Sequence, residues 1–113
     1  MSSLRQIGSE AEDQVASYLL ELGYTVLSRR YHAGRGEIDL IVLDQEILVF
    51  IEVKYRKGKC YPALESITPR KIASLKQAAE RYLADHELFE KIIRFDVVTL
   101  TSKGIEHFKN AFD

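Results

Sequence analysis

The strongest structural pattern in the chain is the segment GEIDLIVLDQEILVFIEVKYR, residues 36–56. Two runs within it, residues 37–43 and 47–55, are rich in β-branched and other apolar residues, which favours strands. Only a few residues separate the two runs. The pattern therefore predicts an antiparallel hairpin with a tight turn.

The length of that turn determines which side chains face each other across the hairpin. A two-residue turn at residues 45–46 places Asp39 opposite Glu52, whereas a three-residue loop would send Asp39 to the other face. We predict the two-residue turn. Gln-Glu is not a favoured sequence for such turns, so the strands themselves must dictate it. Strict alternation would also put Ile38 on the face opposite to Asp39 and Ile41.

Three charged residues, Asp39, Glu52 and Lys54, interrupt these otherwise apolar strands. Burying a charge is costly unless the group is paired or bound to a metal. Two neighbouring carboxylates repel unless a cation lies between them, and Mg²⁺ or Mn²⁺ suits such oxygen ligands. A lysine beside them can orient an attacking water and stabilise charge on a phosphate. The pattern indicates metal-assisted phosphodiester hydrolysis, although Glu-x-Lys alone is also common as a surface ion pair.

Helical signals lie on both sides of the hairpin. Residues 3–22 carry an apolar stripe at helical spacing, which indicates an amphipathic helix. The stripe consists of Ile7, Ala11, Val15, Tyr18 and Leu22. Gly23 follows as a stop signal, and Thr68 with Pro69 fits the cap and first position of a second helix.

The rest of the chain completes one domain. Residues 24–31 and 91–100 resemble strands, and residues 105–112 suggest a short terminal helix. The resulting order is α-β-β-β-α-β-α. It predicts a single α/β domain over residues 1–113, with a mixed sheet flanked by helices.

Composition excludes several classes of protein. The single cysteine, Cys60, excludes an intramolecular disulfide and a zinc site of several thiolates, and it fits a reducing cytoplasm. The longest apolar run, residues 47–51, is too short to span a bilayer. We therefore expect a cytoplasmic protein that makes no membrane contact.

The formal net charge of −1 hides an uneven distribution. Residues 29–76 hold ten lysines or arginines against six acidic residues, whereas the segments before and after them are net negative. Several acidic residues of this middle segment belong to the predicted metal site. With metal bound, the segment would attract phosphate still more strongly.

GEIDLI at residues 36–41 and VFIEVKYR at residues 49–56 resemble the PD-(D/E)XK nuclease superfamily. More closely, the chain resembles the small bacterial YraN-like family of predicted endonucleases, which is similar to archaeal Holliday junction resolvases. The resemblance covers nearly the whole chain, from Gly8 to residues 110–112. It implies a restriction-endonuclease-like α-β-β-β-α-β core.

The resemblance also implies roles for four residues. Asp39 and Glu52 would hold Mg²⁺ or Mn²⁺, and Lys54 would be the catalytic lysine. Glu12 would complete the acidic cluster, directly or through water. The chain departs from the family where asparagine usually stands at the position of Arg30, and glycine at that of Cys60. The family also favours glycines at residues 45–46.

Basic residues near the predicted site are expected to bind nucleic acid; they are Arg30, Arg35, Arg56, Lys57, Lys59 and Lys71. The expected function is metal-dependent hydrolysis of branched or structured DNA. The alternatives are a catalytically silent nucleic-acid-binding module and a protein-interaction domain. Paired incision would need two sites, which suggests a homodimer. Arg94 and Asp96 share one strand face and are expected to form a structural pair.

Overall fold

The computed structural model describes residues 4–56 and 67–112. Within them the order is α-β-β-β-α-β-β: α1 Leu4–Glu21, β1 Thr25–Ala33, β2 Gly36–Asp44, β3 Ile47–Arg56, α2 Pro69–Asp85, β4 Ile93–Thr101 and β5 Gly104–Phe108. The mixed α/β class predicted from the sequence is confirmed. Neither of the two helices is long and apolar enough to cross a membrane.

The five strands form one mixed sheet in the order β1-β2-β3-β4-β5. β3 and β4 are parallel, and all other neighbours are antiparallel. Parallel neighbours cannot be joined by a tight turn, so α2 lies in the crossover between β3 and β4. This topology places β3, which carries Glu52, at the centre of the sheet.

Two hydrophobic cores cover the sheet, one under each helix. The core under α1 contains Val15, Leu19, Leu40, Val42, Val49, Ile51 and Val98. The core under α2 contains Ile38, Ile41, Leu48, Phe50, Leu75, Ala78, Tyr82 and Phe95. Alternate residues of β3 enter opposite cores because successive side chains of a strand point to opposite faces.

The predicted hairpin and its register are confirmed. Asp44 pairs with Ile47 across a two-residue turn, and the pairing continues as far as Leu40 with Ile51. Gln45 adopts a left-handed backbone with φ of 57°. Glutamine is not favoured in that conformation, so the pairing of the apolar strands imposes the turn.

The start of α2 is held close to the sheet. Thr68 caps the helix, since its Oγ1 accepts a hydrogen bond of 3.1 Å from the Lys71 N–H, and Pro69 is the first helical residue. A Cβ atom at Gly36 would lie 2.7 Å from the Ser74 carbonyl oxygen. Glycine therefore permits β2 to approach α2, and this approach brings Lys71 to the end of β2.

Three expectations from the sequence are wrong. The predicted terminal helix is the strand β5, which begins at Gly104 with φ of 116° and pairs with β4. So short a segment carries too little periodicity to separate helix from strand. Ile38 lies in the same core as Ile41, so the alternation of β2 breaks between them. Leu22 is 51% exposed, because α1 ends before it and Leu19 fills the core instead.

Candidate metal and nucleic-acid site

A cavity of about 530 Å³ lies where β1, β2 and β3 meet α1 and α2. We call it the acidic pocket. It is lined by Ala11, Glu12, Arg30, His32, Glu37, Asp39, Glu52, Val53, Tyr55 and Lys71. The structure thus brings together the three predicted metal ligands, which come from α1, β2 and β3.

Asp39 lies just beyond the last paired residues of the hairpin. Its Oδ2 accepts a hydrogen bond of 2.8 Å from the Val53 N–H, so the carboxylate binds a backbone donor of the neighbouring strand. Burial raises the pKa of Asp39 to about 7, and the negative charges of Glu52, Glu12 and Glu37 act in the same direction. The hydrogen bond from Val53 opposes the shift but does not cancel it. A cation in the pocket would remove this repulsion.

Glu52 is buried at the centre of the sheet, with 4% of its surface exposed. Its Oε1 lies 3.2 Å from the Lys54 Nζ, and its Oε2 lies 3.7 Å from the Lys71 Nζ. Oε2 is buried and accepts no hydrogen bond from any residue that the structure describes. A buried carboxylate oxygen without a hydrogen bond is unfavourable, which makes Oε2 the natural ligand atom for a cation.

Glu12 reaches the pocket from α1 and is 8% exposed. The packing of Val15 and Leu19 against the sheet fixes the face of α1 on which Glu12 lies. The Glu12 Oε2 accepts a hydrogen bond of 2.8 Å from the Arg30 Nε. This bond and the charge of Glu12 raise the pKa of Arg30 above its ordinary value. Arg30, which the sequence predicted to bind nucleic acid, here pairs with a predicted metal ligand.

The donor set of the pocket fits a hard divalent cation. Among the described side chains, no three acidic, histidine or cysteine residues form a closed ligand cluster. Mg²⁺ does not require one, because it is commonly held by one or two carboxylates together with waters and substrate phosphates. Asp39 and Glu52 could supply those two carboxylates, and the Glu52 Oε2 has no competing hydrogen bond.

A second cavity, of about 320 Å³, adjoins the acidic pocket and shares Glu37 and Lys71 with it. We call it the basic groove. It is lined by Arg35, Glu37, Thr68, Arg70, Lys71 and Ser74. Arg35 and Lys71 were predicted from the sequence to bind nucleic acid, whereas Arg70 was missed. Its position after the helix cap of Thr68 and Pro69 is the signal that could have indicated it.

Several predicted basic residues cannot be placed. Lys57 and Lys59 lie outside the described residues, as does Cys60, and Arg56 is described by its backbone alone. Their assignment to a nucleic-acid surface stays a prediction. Of the predicted residues whose side chains the structure describes, Arg35 and Lys71 line the basic groove and Arg30 lines the acidic pocket.

A separate polar cluster surrounds Asp96 on β4; we call it the Asp96 cluster. The predicted pair is confirmed, since Arg94 donates to both Asp96 oxygens at 2.8 and 2.9 Å. The sequence did not reveal the other donor side chain, His107, whose Nε2 lies 2.7 Å from the Asp96 Oδ2. Arg94 also binds Asp44 and Tyr24. Both oxygens of Asp96 accept hydrogen bonds from side chains or backbone, which is typical of a structural ion pair.

Taken together, the fold and the acidic pocket define a small mixed α/β domain in which carboxylates from α1, β2 and β3 line one pocket and two lysines lie against Glu52. The family model described as "Uncharacterised protein family UPF0102" matches residues 11–100. The chain belongs to this family. Membership in the nuclease superfamily remains a prediction.

Similar proteins cover nearly the full length of the chain. A UPF0102 protein of Nitrosococcus oceani is 48% identical over 106 residues, which are 91% of this chain and 86% of the relative. One of Saccharophagus degradans is 39% identical over 114 residues, covering 99% and 97%. One of Chlorobaculum parvum is 41% identical over 124 residues, covering 99% and 95%. Their names identify the family and state no activity.

Proposed function

We propose that the chain is a metal-dependent endonuclease of the PD-(D/E)XK superfamily, similar to the YraN-like proteins, that hydrolyses phosphodiester bonds in branched or structured DNA. One observation carries this proposal. Asp39, whose carboxyl pKa is raised, and Glu52, which has a buried oxygen without a hydrogen bond among the described residues, line one pocket, and the Lys54 Nζ lies 3.2 Å from Glu52. Such an arrangement costs stability and is characteristic of functional sites.

Each residue of the pocket then has a distinct task. Asp39 and Glu52 would hold Mg²⁺ or Mn²⁺, which would supply a more acidic water and polarise the phosphate. The Lys54 Nζ, 3.2 Å from Glu52, would orient the attacking water and offset charge on the phosphate oxygens. The water would lose a proton to solvent as its oxygen bonds to phosphorus, and one ester P–O bond would break. The leaving oxygen would take a proton from solvent, which gives a phosphate monoester and a hydroxyl.

The basic groove supports DNA as the substrate. Arg35, Arg70 and Lys71 line it against one acidic residue, Glu37, and it opens onto the same corner of the sheet as the acidic pocket. Arginine and lysine bind phosphate oxygens without reading sequence. If the scissile phosphate of a DNA strand enters the acidic pocket, an adjacent phosphate of the same DNA strand would therefore lie in the basic groove.

The decisive experiment compares the wild type with Glu52→Gln on four-way junction, flapped, single-stranded and duplex DNA in the presence of Mg²⁺ or Mn²⁺. We expect cleavage by the wild type and a loss of about 10²-fold or more in the variant. Glu46→Gln is the matched control, because Glu46 is exposed in the turn of the same hairpin and should keep full activity. Thermal unfolding verifies that each variant is folded.

A second candidate function is a DNA-binding module of the same fold that cuts nothing. It is favoured by the ion pairs that already neutralise Glu52 and Glu12 without a metal. Binding without cleavage in the same assay would support this candidate. Absence of both binding and cleavage would instead favour a protein-interaction domain.

We further propose that the active form on branched DNA is a homodimer. Paired incision requires two sites, and one chain supplies one acidic pocket. Analytical ultracentrifugation on a four-way junction should therefore show two chains for each junction. A strict monomer would contradict paired incision but would leave single-strand cleavage intact.

A further inference from the structure

Arg30 has an unusual backbone for a residue within a strand. Its φ is 54°, in the left-handed region, although it lies inside β1. The neighbouring pairs Arg29 with Leu40 and Tyr31 with Ile38 are formed, which places Arg30 across from Asp39. A left-handed arginine persists only where its surroundings impose it, and such positions concentrate at functional sites.

This backbone directs the Arg30 side chain toward α1. Successive side chains of a regular strand point to opposite faces, yet Arg29 binds Asp13 and Arg30 binds Glu12, both on α1. β1 has a bulge between Val26 and Ser28, and the left-handed Arg30 breaks its alternation a second time. As a consequence, the guanidinium of Arg30 enters the acidic pocket.

The contact changes the charge balance of the pocket. Arg30 neutralises Glu12 through a hydrogen bond of 2.8 Å, and Lys54 and Lys71 lie against Glu52. Asp39 makes no ion pair with any of the side chains described for residues 10–55 and 67–112. The Glu52 Oε2 has the Lys71 Nζ 3.7 Å away but accepts no hydrogen bond from a described residue, so a divalent cation can bind it together with Asp39 without breaking one. To bind Glu12, the cation must first break the hydrogen bond of 2.8 Å from Arg30.

We propose that Arg30 is a positioning residue that withholds Glu12 from the metal, so that this chain binds its divalent cation through Asp39 and Glu52 with lower affinity than the three carboxylates would otherwise provide. The inference rests on the proposed metal-dependent function. It assigns Glu12 an indirect role as long as Arg30 is present. It also gives a physical purpose to the strained backbone of β1.

The test is calorimetric titration of the DNA-free protein with Mn²⁺. Arg30→Asn removes the cation and keeps a side chain that tolerates the left-handed backbone. We expect its dissociation constant for Mn²⁺ to fall by about tenfold, since one more carboxylate becomes available. Arg29→Asn is the matched control. It removes the same positive charge from the adjacent residue, but Arg29 pairs with Asp13, which does not line the acidic pocket. The dissociation constant for Mn²⁺ should therefore change less than about twofold.

A second variant assigns the gain to Glu12. In Arg30→Asn with Glu12→Gln, affinity for Mn²⁺ should return to about the wild-type value. If the higher affinity for Mn²⁺ persists without the Glu12 carboxylate, the inference is overturned. It is also overturned if Arg29→Asn raises the affinity equally, because the effect would then be one of general charge. Weaker binding by Arg30→Asn would also overturn it, because Arg30 would then be organising the ligands.

The result separates this inference from the proposed function. Wild-type binding of Mn²⁺ together with DNA cleavage, but with no gain in Arg30→Asn, would refute the role of Arg30 and leave the nuclease proposal standing. If neither protein bound Mn²⁺, both proposals would fall. Thermal unfolding of each variant ensures that the titrations compare folded proteins.

Discussion

The carboxylates of Asp96 and Asp39 lie in one sheet but have opposite surroundings, and Asp39 is only half-buried. Asp96 is fully buried and accepts hydrogen bonds from Arg94, from His107 and from the Asn110 N–H at 2.9 Å. Burial alone would raise its pKa, but these donors more than offset burial and hold the pKa of Asp96 below its ordinary value. The Asp96 cluster therefore stabilises an ionised side chain in a fully buried position.

Burial of Asp39 and the charges of the neighbouring carboxylates raise its pKa to about 7, and its one hydrogen bond, from the Val53 N–H, only partly opposes them. Burial raises the pKa at both sites, and the supply of donors and positive charge determines whether that rise is overcome, as it is at Asp96 but not at Asp39. In the Asp96 cluster, the charge of Asp96 is balanced by its donors. The acidic pocket lacks positive charge at Asp39, which a metal could provide.

The largest expected effect comes from a substitution in the Asp96 cluster, which should lower the stability of the whole protein. Asp96→Asn should lower the free energy of unfolding by about 3 kcal/mol, because it leaves the Arg94 guanidinium, whose side chain is only 14% exposed, without its main counter-charge. Urea unfolding at pH 8 measures the change. Asp44→Asn is the matched control: Asp44 is the more exposed partner of Arg94, and its replacement should cost about 1 kcal/mol.

The pH dependence of the same variant tests the cause. Because the folded pKa of Asp96 is lowered, its ionised form stabilises the native state at neutral pH, and this contribution is lost as the pH falls through the folded pKa. The difference between wild type and Asp96→Asn should therefore shrink below about pH 4. A difference that stayed unchanged in acid would show that packing, not charge, holds Asp96.

Asp39→Asn should change the free energy of unfolding in the opposite direction, toward greater stability. The folded pKa of about 7 lies above the ordinary carboxyl value, so ionisation of Asp39 destabilises the native state progressively as the pH rises through this range. With EDTA present, the variant should be more stable than wild type by about 2 kcal/mol at pH 8 and equal to it near pH 4. Lower stability at pH 8 would mean that ionised Asp39 supports the fold as Asp96 does.

The sequence predicted the parts of this contrast that depend on strand pattern. The apolar runs of the hairpin were enough to predict its register, and the register carried Asp39 and Glu52 to one end of two paired strands. Thr68 and Pro69 likewise indicated the start of α2, which places Lys71 near Glu52. These features follow from local rules that a single sequence contains.

The remaining features depend on contacts between distant segments. His107 belongs to the Asp96 cluster only because residues 104–108 pair with β4, and so short a segment could not be recognised as a strand. The left-handed backbone of Arg30 has no sequence signal, since arginine rarely adopts it; the tertiary setting imposes it. The partner of Glu12 was therefore hidden as well.

The smallest expected effect is the most specific to the acidic pocket. At ten times its dissociation constant, Mg²⁺ should stabilise the wild type by about 1.4 kcal/mol, because the ion binds the folded state alone. Asp39→Asn should lose this gain, whereas Asp96→Asn should keep it in full, since the donors around Asp96 leave no place for a cation. Urea unfolding in Mg²⁺ and in KCl of equal ionic strength measures the three values. An equal loss of Mg²⁺ stabilisation in both variants would mean that Mg²⁺ binding does not depend specifically on Asp39. The proposed distinction between Asp96 as a structural carboxylate and Asp39 as a metal ligand would then be wrong.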